Sequence, residues 1–193
     1  RPGDRPYSKE SRMKTRRFVF LAVIVMLVLT LIPSEYAHAG CSDPARPEVD
    51  WYRCHFNGSD LSGVDLRKAR VRDAHFIRAD LTGADLTGAD GFRSKFVSAR
   101  LVGTKLDGAR LTSSDLTKAD LSGALLIDAD LRRAKLVQTV LRNANLTNAK
   151  LRGADLREAD LSGALWTDGK TRCATGSIGQ CNTVPRHSDN GNS

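Results

Sequence analysis

Ala79-Asp80-Leu81-Thr82-Gly83-Ala84-Asp85-Leu86-Thr87-Gly88 says the same five-residue phrase twice, and the phrase runs on in both directions. Taking every fifth residue from Phe56 to Trp166 gives 23 positions; seventeen are Leu and three are Phe, with Val71, Gly91 and Trp166 completing the set. Two residues ahead of each stands a small residue, Ala in sixteen cases. The beat holds from Cys54 to Asp168 without a slip.

A period of five suits neither common element. On an α-helix it advances about 140° beyond a full turn, so the leucines would wander round the axis. On a flat strand an odd period sends them to alternate faces. A chain that keeps every Leu inside must therefore turn a corner every five residues. Units that bury too little alone then stack into a solenoid. Phe takes the central position only at 56, 76 and 96, and His precedes it only at 55 and 75. Both spacings are twenty residues, which predicts four five-residue sides per coil.

Phrases such as Ala79-Asp80-Leu81-Thr82-Gly83 and Ala159-Asp160-Leu161-Ser162-Gly163 resemble the pentapeptide repeat family. The resemblance implies an all-β solenoid: a right-handed, four-sided (quadrilateral) β-helix, with Leu or Phe inside and the small residue at a corner. Residues 54–168 then make nearly six coils, roughly 27 Å of rod at strand spacing. A narrow, close-packed lumen explains why Ala accompanies each Leu.

Around this core the chain divides in order. Residues 1–12 read as an upstream extension, because Met13 with Lys14, Arg16 and Arg17 looks like a start. Residues 13–39 read as a secretory signal peptide: basic head, an apolar run Phe18–Ile32, then Ala37-His38-Ala39 at the cleavage site. The apolar run is short of the ~20 residues of a membrane span, so the mature form is expected to carry no transmembrane segment. Residues 40–53 form an N-terminal cap, in which Trp51 falls on the five-residue frame and plugs the lumen. Residues 169–181 form a disulfide-closed C-terminal cap, and 182–193 a disordered polar tail.

All four cysteines lie beyond the signal segment, as an oxidising compartment allows. Local pairing gives Cys41 with Cys54 and Cys173 with Cys181. Ala39-Gly40-Cys41 also resembles the end of a bacterial lipoprotein box, but His38 stands where that box has an apolar residue. A lipid anchor through Cys41 is thus the less favoured alternative to a disulfide. The expected location is periplasmic or extracellular.

Net charge is +8, of which residues 1–39, with seven basic and three acidic side chains, hold half. Within the repeat, one wall gathers Arg70, Arg72, Arg110, Arg132, Lys150 and Arg152 as a candidate interaction surface, with Arg93 and Arg133 at its edge. Asp73, Asp90 and Asp130 stand against them. The wall ten residues away in the frame carries Asp60, Asp80, Asp120 and Asp160, opposed by Arg100 and Arg142. His55 and His75 should stand side by side with Lys95 next, too few ligands for a structural metal. Gly91 leaves a gap in the apolar frame, where a Phe92 ring folding back over it or a local bulge is expected rather than a ligand pocket. Ile77, Val97 and Val137, and separately Leu125 and Ile127, could form contact patches.

No catalytic set, cofactor motif or metal motif is expected. The reading is a non-enzymatic exported scaffold whose flat walls bind a protein or an anionic component of the cell envelope. Resemblance to the family supplies the alternative, a DNA-mimicking regulator of a type II topoisomerase. Against it stand the signal segment and the 18 basic and 15 acidic side chains of residues 54–168. Direct nucleic-acid binding lacks aromatic interleaving and a recognition helix.

Overall fold

The computed structural model describes residues 40–183. The upstream extension, the signal peptide and residues 184–193 of the tail lie outside the described residues. Every parallel β-bridge joins a residue to the one twenty positions later, from Asp50–Arg70 to Asn145–Leu165. The bridges fall into four ladders, starting at Asp50, His55, Asp60 and Asp65, so twenty residues advance the chain by one rung on each.

Local bonding shows how five residues turn a corner. Apart from Leu61, which Val64 follows, each central residue opens a four-residue turn that the next small residue closes, as when the Ala84 amide donates to the Leu81 carbonyl at 3.0 Å. The third turn residue is left-handed: Gly83 has φ 67°, and Arg78, Lys118 and Asn148 have 58–60°. Gly is common there because it enters that region without a Cβ clash. Two further amides per turn reach the next coil; Leu81 donates to Arg100 O and Gly83 to Val102 O, at 2.7 and 2.9 Å.

The frame aspartates have a task that repetition alone does not disclose. The Asp80 carboxylate accepts the Thr82 amide at 2.9 Å, and Asp60, Asp85, Asp115, Asp120 and Asp160 do the same two residues on. That amide is the one the ladders leave over. An Asx contact therefore satisfies it and holds the corner.

The leucines fill the lumen; Leu66, Leu81, Leu121 and Leu141 are 0% exposed. Complete burial of each is worth about 1.5–3 kcal/mol in transfer free energy. Phe56, Phe76 and Phe96 form a column, with ring centroids 5.5 and 5.0 Å apart. Trp51 sits on its end, 4.2 Å from Phe56, and donates its indole N–H to Asp43 O. At four of the positions where a hydroxyl residue replaces Ala it is buried and donates to a carbonyl: Ser94 to Gly91 O at 2.6 Å, Thr104 to Leu81 O at 2.8 Å, Ser114 to Leu111 O at 2.7 Å and Thr139 to Leu116 O at 2.9 Å. Ladder bonding begins ahead of Cys54, with the Glu48 amide on Arg67 O.

Gly91 leaves no gap. A Cβ built there would lie 2.9 Å from Leu111 Cδ2 and 3.0 Å from Ser94 Oγ, so those side chains already occupy the space. Phe92 does not fold inward but lies outside between Arg72 and Arg93, whose guanidinium carbons are 4.9 and 5.5 Å from its centroid. The cation–π contacts hold it there.

Both ends are fastened covalently. Cys41–Cys54 has an S–S distance of 2.05 Å and Cys173–Cys181 one of 2.00 Å. After Trp166 the chain reverses and runs antiparallel, pairing Arg172 with Leu165 and Ile178 with Asp160. Among the described residues no helix is long and apolar enough to cross a membrane.

Candidate interaction surface

Outward side chains on each ladder form a straight row at strand spacing, ~4.8 Å per rung. The first ladder reads Asp50, Arg70, Asp90, Arg110, Asp130, Lys150, alternating in sign at every rung. Alternation makes each cation a neighbour of carboxylates: Arg70 reaches Asp50 at 2.9 Å and Arg110 reaches Asp90 at 3.5 Å. Arg72 and Arg132 lie on the adjoining corner and turn back to the same row, 3.4 Å from Asp90 and 2.6 Å from Asp130. Four members of the candidate wall therefore carry an aspartate partner. Lys150 and Arg152, with neighbouring Arg133, have no ion-pair partner among the described residues.

The charge of this row is thus gathered at its far end. Arg132, Arg133, Arg152 and Thr112 line a recess of about 210 Å³ there. Arg132 clamps Asp130 through two parallel bonds, Nε and Nη2 at 2.8 and 2.6 Å, which hold that carboxyl down to about 2. The same clamp recurs at Asp65–Arg67 and Asp155–Arg157. The two outer clamps are well exposed and add little to stability, whereas Asp130, only 17% exposed, is the member whose pairing counts.

The second ladder brings His55 and His75 together, ring centroids 4.3 Å apart, followed by Lys95. Burial, then the charge of Lys95 and then His55, push the His75 pKa below its ordinary value. Among the described residues no group of three His, Cys, Asp or Glu side chains is placed to hold a metal ion. The third ladder carries Asp60, Asp80, Arg100, Asp120, Val140 and Asp160. Arg100 pairs with Asp80, and Arg142 reaches Asp160 from the corner. On the fourth, Leu125 is 36% exposed beside corner residue Ile127, while Ile77, Val97 and Val137 share a different corner, with Thr117 between the last two.

The Pentapeptide repeats family model matches eight copies, over residues 50–90, 94–130 and 124–163. No curated protein is significantly similar to the chain. Among solved structures, the chain is 35% identical to HetL, a pentapeptide repeat protein involved in heterocyst differentiation regulation from the cyanobacterium Nostoc sp. strain PCC 7120. That match covers 64% of this chain and 68% of HetL, with a TM-score of 0.43. Rfr23 from the cyanobacterium Cyanothece 51142 is 23% identical over 61% of this chain and 90% of its own, with a TM-score of 0.44. Full-length QnrB1, a plasmid-mediated fluoroquinolone resistance protein, is 23% identical over 61% of this chain and 65% of its own, with a TM-score of 0.30.

Proposed function

The chain belongs to the pentapeptide repeat family, and on that premise we propose that it is an exported, non-enzymatic interaction scaffold. Proteins of this family fold as right-handed β-helix solenoids. The four ladders are read as the sides of a quadrilateral rod of nearly six coils, capped by residues 40–53 and 169–181. Its partner is a protein or an anionic component of the cell envelope, met in the periplasm or outside the cell. No cofactor enters this reading.

One observation carries it: charged side chains stand in straight rows on a backbone whose amides are already committed coil to coil. Such a surface needs little ordering when a partner arrives, so less free energy is lost on association. The uncompensated cations at the end of the first ladder give long-range attraction for an anionic surface. Two disulfides support an oxidising compartment. The topoisomerase alternative is disfavoured by the basic balance of the repeat.

A salt-dependent binding assay on envelope fractions tests the wall. Arg110→Glu with Arg152→Glu should weaken a salt-sensitive interaction at least tenfold, and Asp80→Lys with Asp120→Lys should not. Equal binding by both variants at low salt would leave the wall without a role.

A further inference from the structure

Along the rod every central residue, and the residue two beyond it, donates its amide to the next coil. At the last coil this continues on only part of the circumference. Leu161 donates to Ser177 O, Gly163 to Cys173 O and Trp166 to Thr171 O, so the third and fourth ladders end beneath the antiparallel return. The pairing of that return ends at Gly179, whose amide donates to Ala159 O and which lies against Leu156 O and the Glu158 amide, at the far end of the second ladder's edge. Among the described residues the amides of Leu151, Gly153 and Leu156 donate to nothing, and the carbonyls of Ala149 and Ala154 accept nothing. Leu151, Ala154 and Leu156 are half-buried, whereas Leu131, Ala134 and Leu136, one coil below, are each 1% exposed. The first two ladders therefore finish on an open sheet edge with apolar side chains behind it, a template for another strand.

Charge says which strand fits. The first ladder alternates to its end at Lys150, and the second runs Lys95, Asp115, Lys135, Asp155. One more rung in the same alternation places an acid over Lys150 and a base over Asp155, five residues later. Arg152 and Arg133, which have no ion-pair partner among the described residues, reinforce the preference for the acid. We infer that the edge from Lys150 to Leu156 binds an extended segment of a partner protein by β-strand addition. The segment reads acid, apolar, two turn residues, small, base, apolar. Its backbone takes the amides of Leu151, Gly153 and Leu156, and its two apolar residues cover Leu151 and Leu156. This site is the backbone edge itself, and it shares Lys150 and Arg152 with the end of the side-chain wall proposed above.

The probe is the synthetic peptide Ala-Asp-Leu-Thr-Gly-Ala-Lys-Leu-Thr-Gly. Its control, Ala-Lys-Leu-Thr-Gly-Ala-Asp-Leu-Thr-Gly, has the same composition with the two charges exchanged. Amide hydrogen exchange by NMR on the full chain should find Leu151, Gly153 and Leu156 unprotected alone. The matched peptide should slow their exchange at least tenfold and bind at least tenfold more tightly than the control. Lys150→Glu should remove that preference while leaving the melting temperature unchanged. Equal binding of the two peptides, or binding of neither, overturns the inference. Protection already present in the free protein overturns it too: independent of concentration, it assigns the edge to residues 184–193; fading on dilution, to a second copy. Arg110→Glu alone, two rungs below the edge and with Lys150, Arg152 and Arg133 left in place, tests the wall at low salt, so the two readings can fail separately.

Discussion

Replacing Gly91 with leucine completes the repeat pattern on paper and should nevertheless destabilise the protein. A Cβ at that position lies 2.9 Å from Leu111 Cδ2, 3.0 Å from Ser94 Oγ and 3.6 Å from the Arg110 carbonyl oxygen. The Leu111 methyl and the Ser94 hydroxyl must both shift to admit even one carbon. Ser94 is 0% exposed and donates to Gly91 O, so its movement also strains a buried hydrogen bond. Gly91→Ala should therefore cost about 1–3 kcal/mol, the usual range for overpacking, and Gly91→Leu at least as much. For a fold of this size each kcal/mol lowers the melting temperature by roughly 2–4 °C, giving about 2–12 °C for the alanine variant. Calorimetry or urea denaturation reads the change directly. Shortening the neighbour should relieve it: in a Leu111→Ala background, Gly91→Ala should cost less than in the parent chain. A Gly91→Leu protein that melts higher than the parent would refute the packing argument and restore the idea of a vacant lumen.

Reduction of the two disulfides should lower stability. The chain-entropy model gives about 2.5–3 kcal/mol for each loop, measurable by denaturation with and without reductant. Acid should act through Asp130 and Asp168, both held to about 2, the first chiefly by Arg132 and the second chiefly by Thr171. Unfolded aspartate titrates near 3.9, so the native state sheds these protons more readily. Their stabilisation is complete above about pH 4 and is lost as pH falls towards 2; a melting temperature flat across that interval would contradict it. Intact mass of the protein from its native host should correspond to a chain starting at Gly40 with four oxidised cysteines; a chain retaining Met13 would end the export reading.

The frame of central and small residues was legible in sequence because one steric demand, a filled narrow lumen, is restated every five residues. The repeated Phe and His suggested the twenty-residue coil for a related reason: stacked rungs bring like residues together. The work of the frame aspartates was not legible, since repetition shows that an Asp is present and not which amide it takes. Nor was the neutralising of the first ladder. Asp50 sits ahead of Cys54, outside the span read as repeat, yet it pairs with Arg70. Gly91 misled because the frame counts a missing side chain without seeing Leu111 and Ser94 lean into its place. The antiparallel return at residues 171–179 carries no repeat at all, so the cysteines could announce a closed end but not which ladders it covers.

Everything proposed for the surface depends on rows that advance one rung every twenty residues. Lys68 and Asn148 occupy the same exposed corner position four coils apart in that register. Spin labels introduced as Lys68→Cys and Asn148→Cys should lie about 19 Å apart at strand spacing, by pulsed dipolar spectroscopy. A separation near 26 Å, as a fifteen-residue coil would give, would contradict the register and dissolve the rows with it.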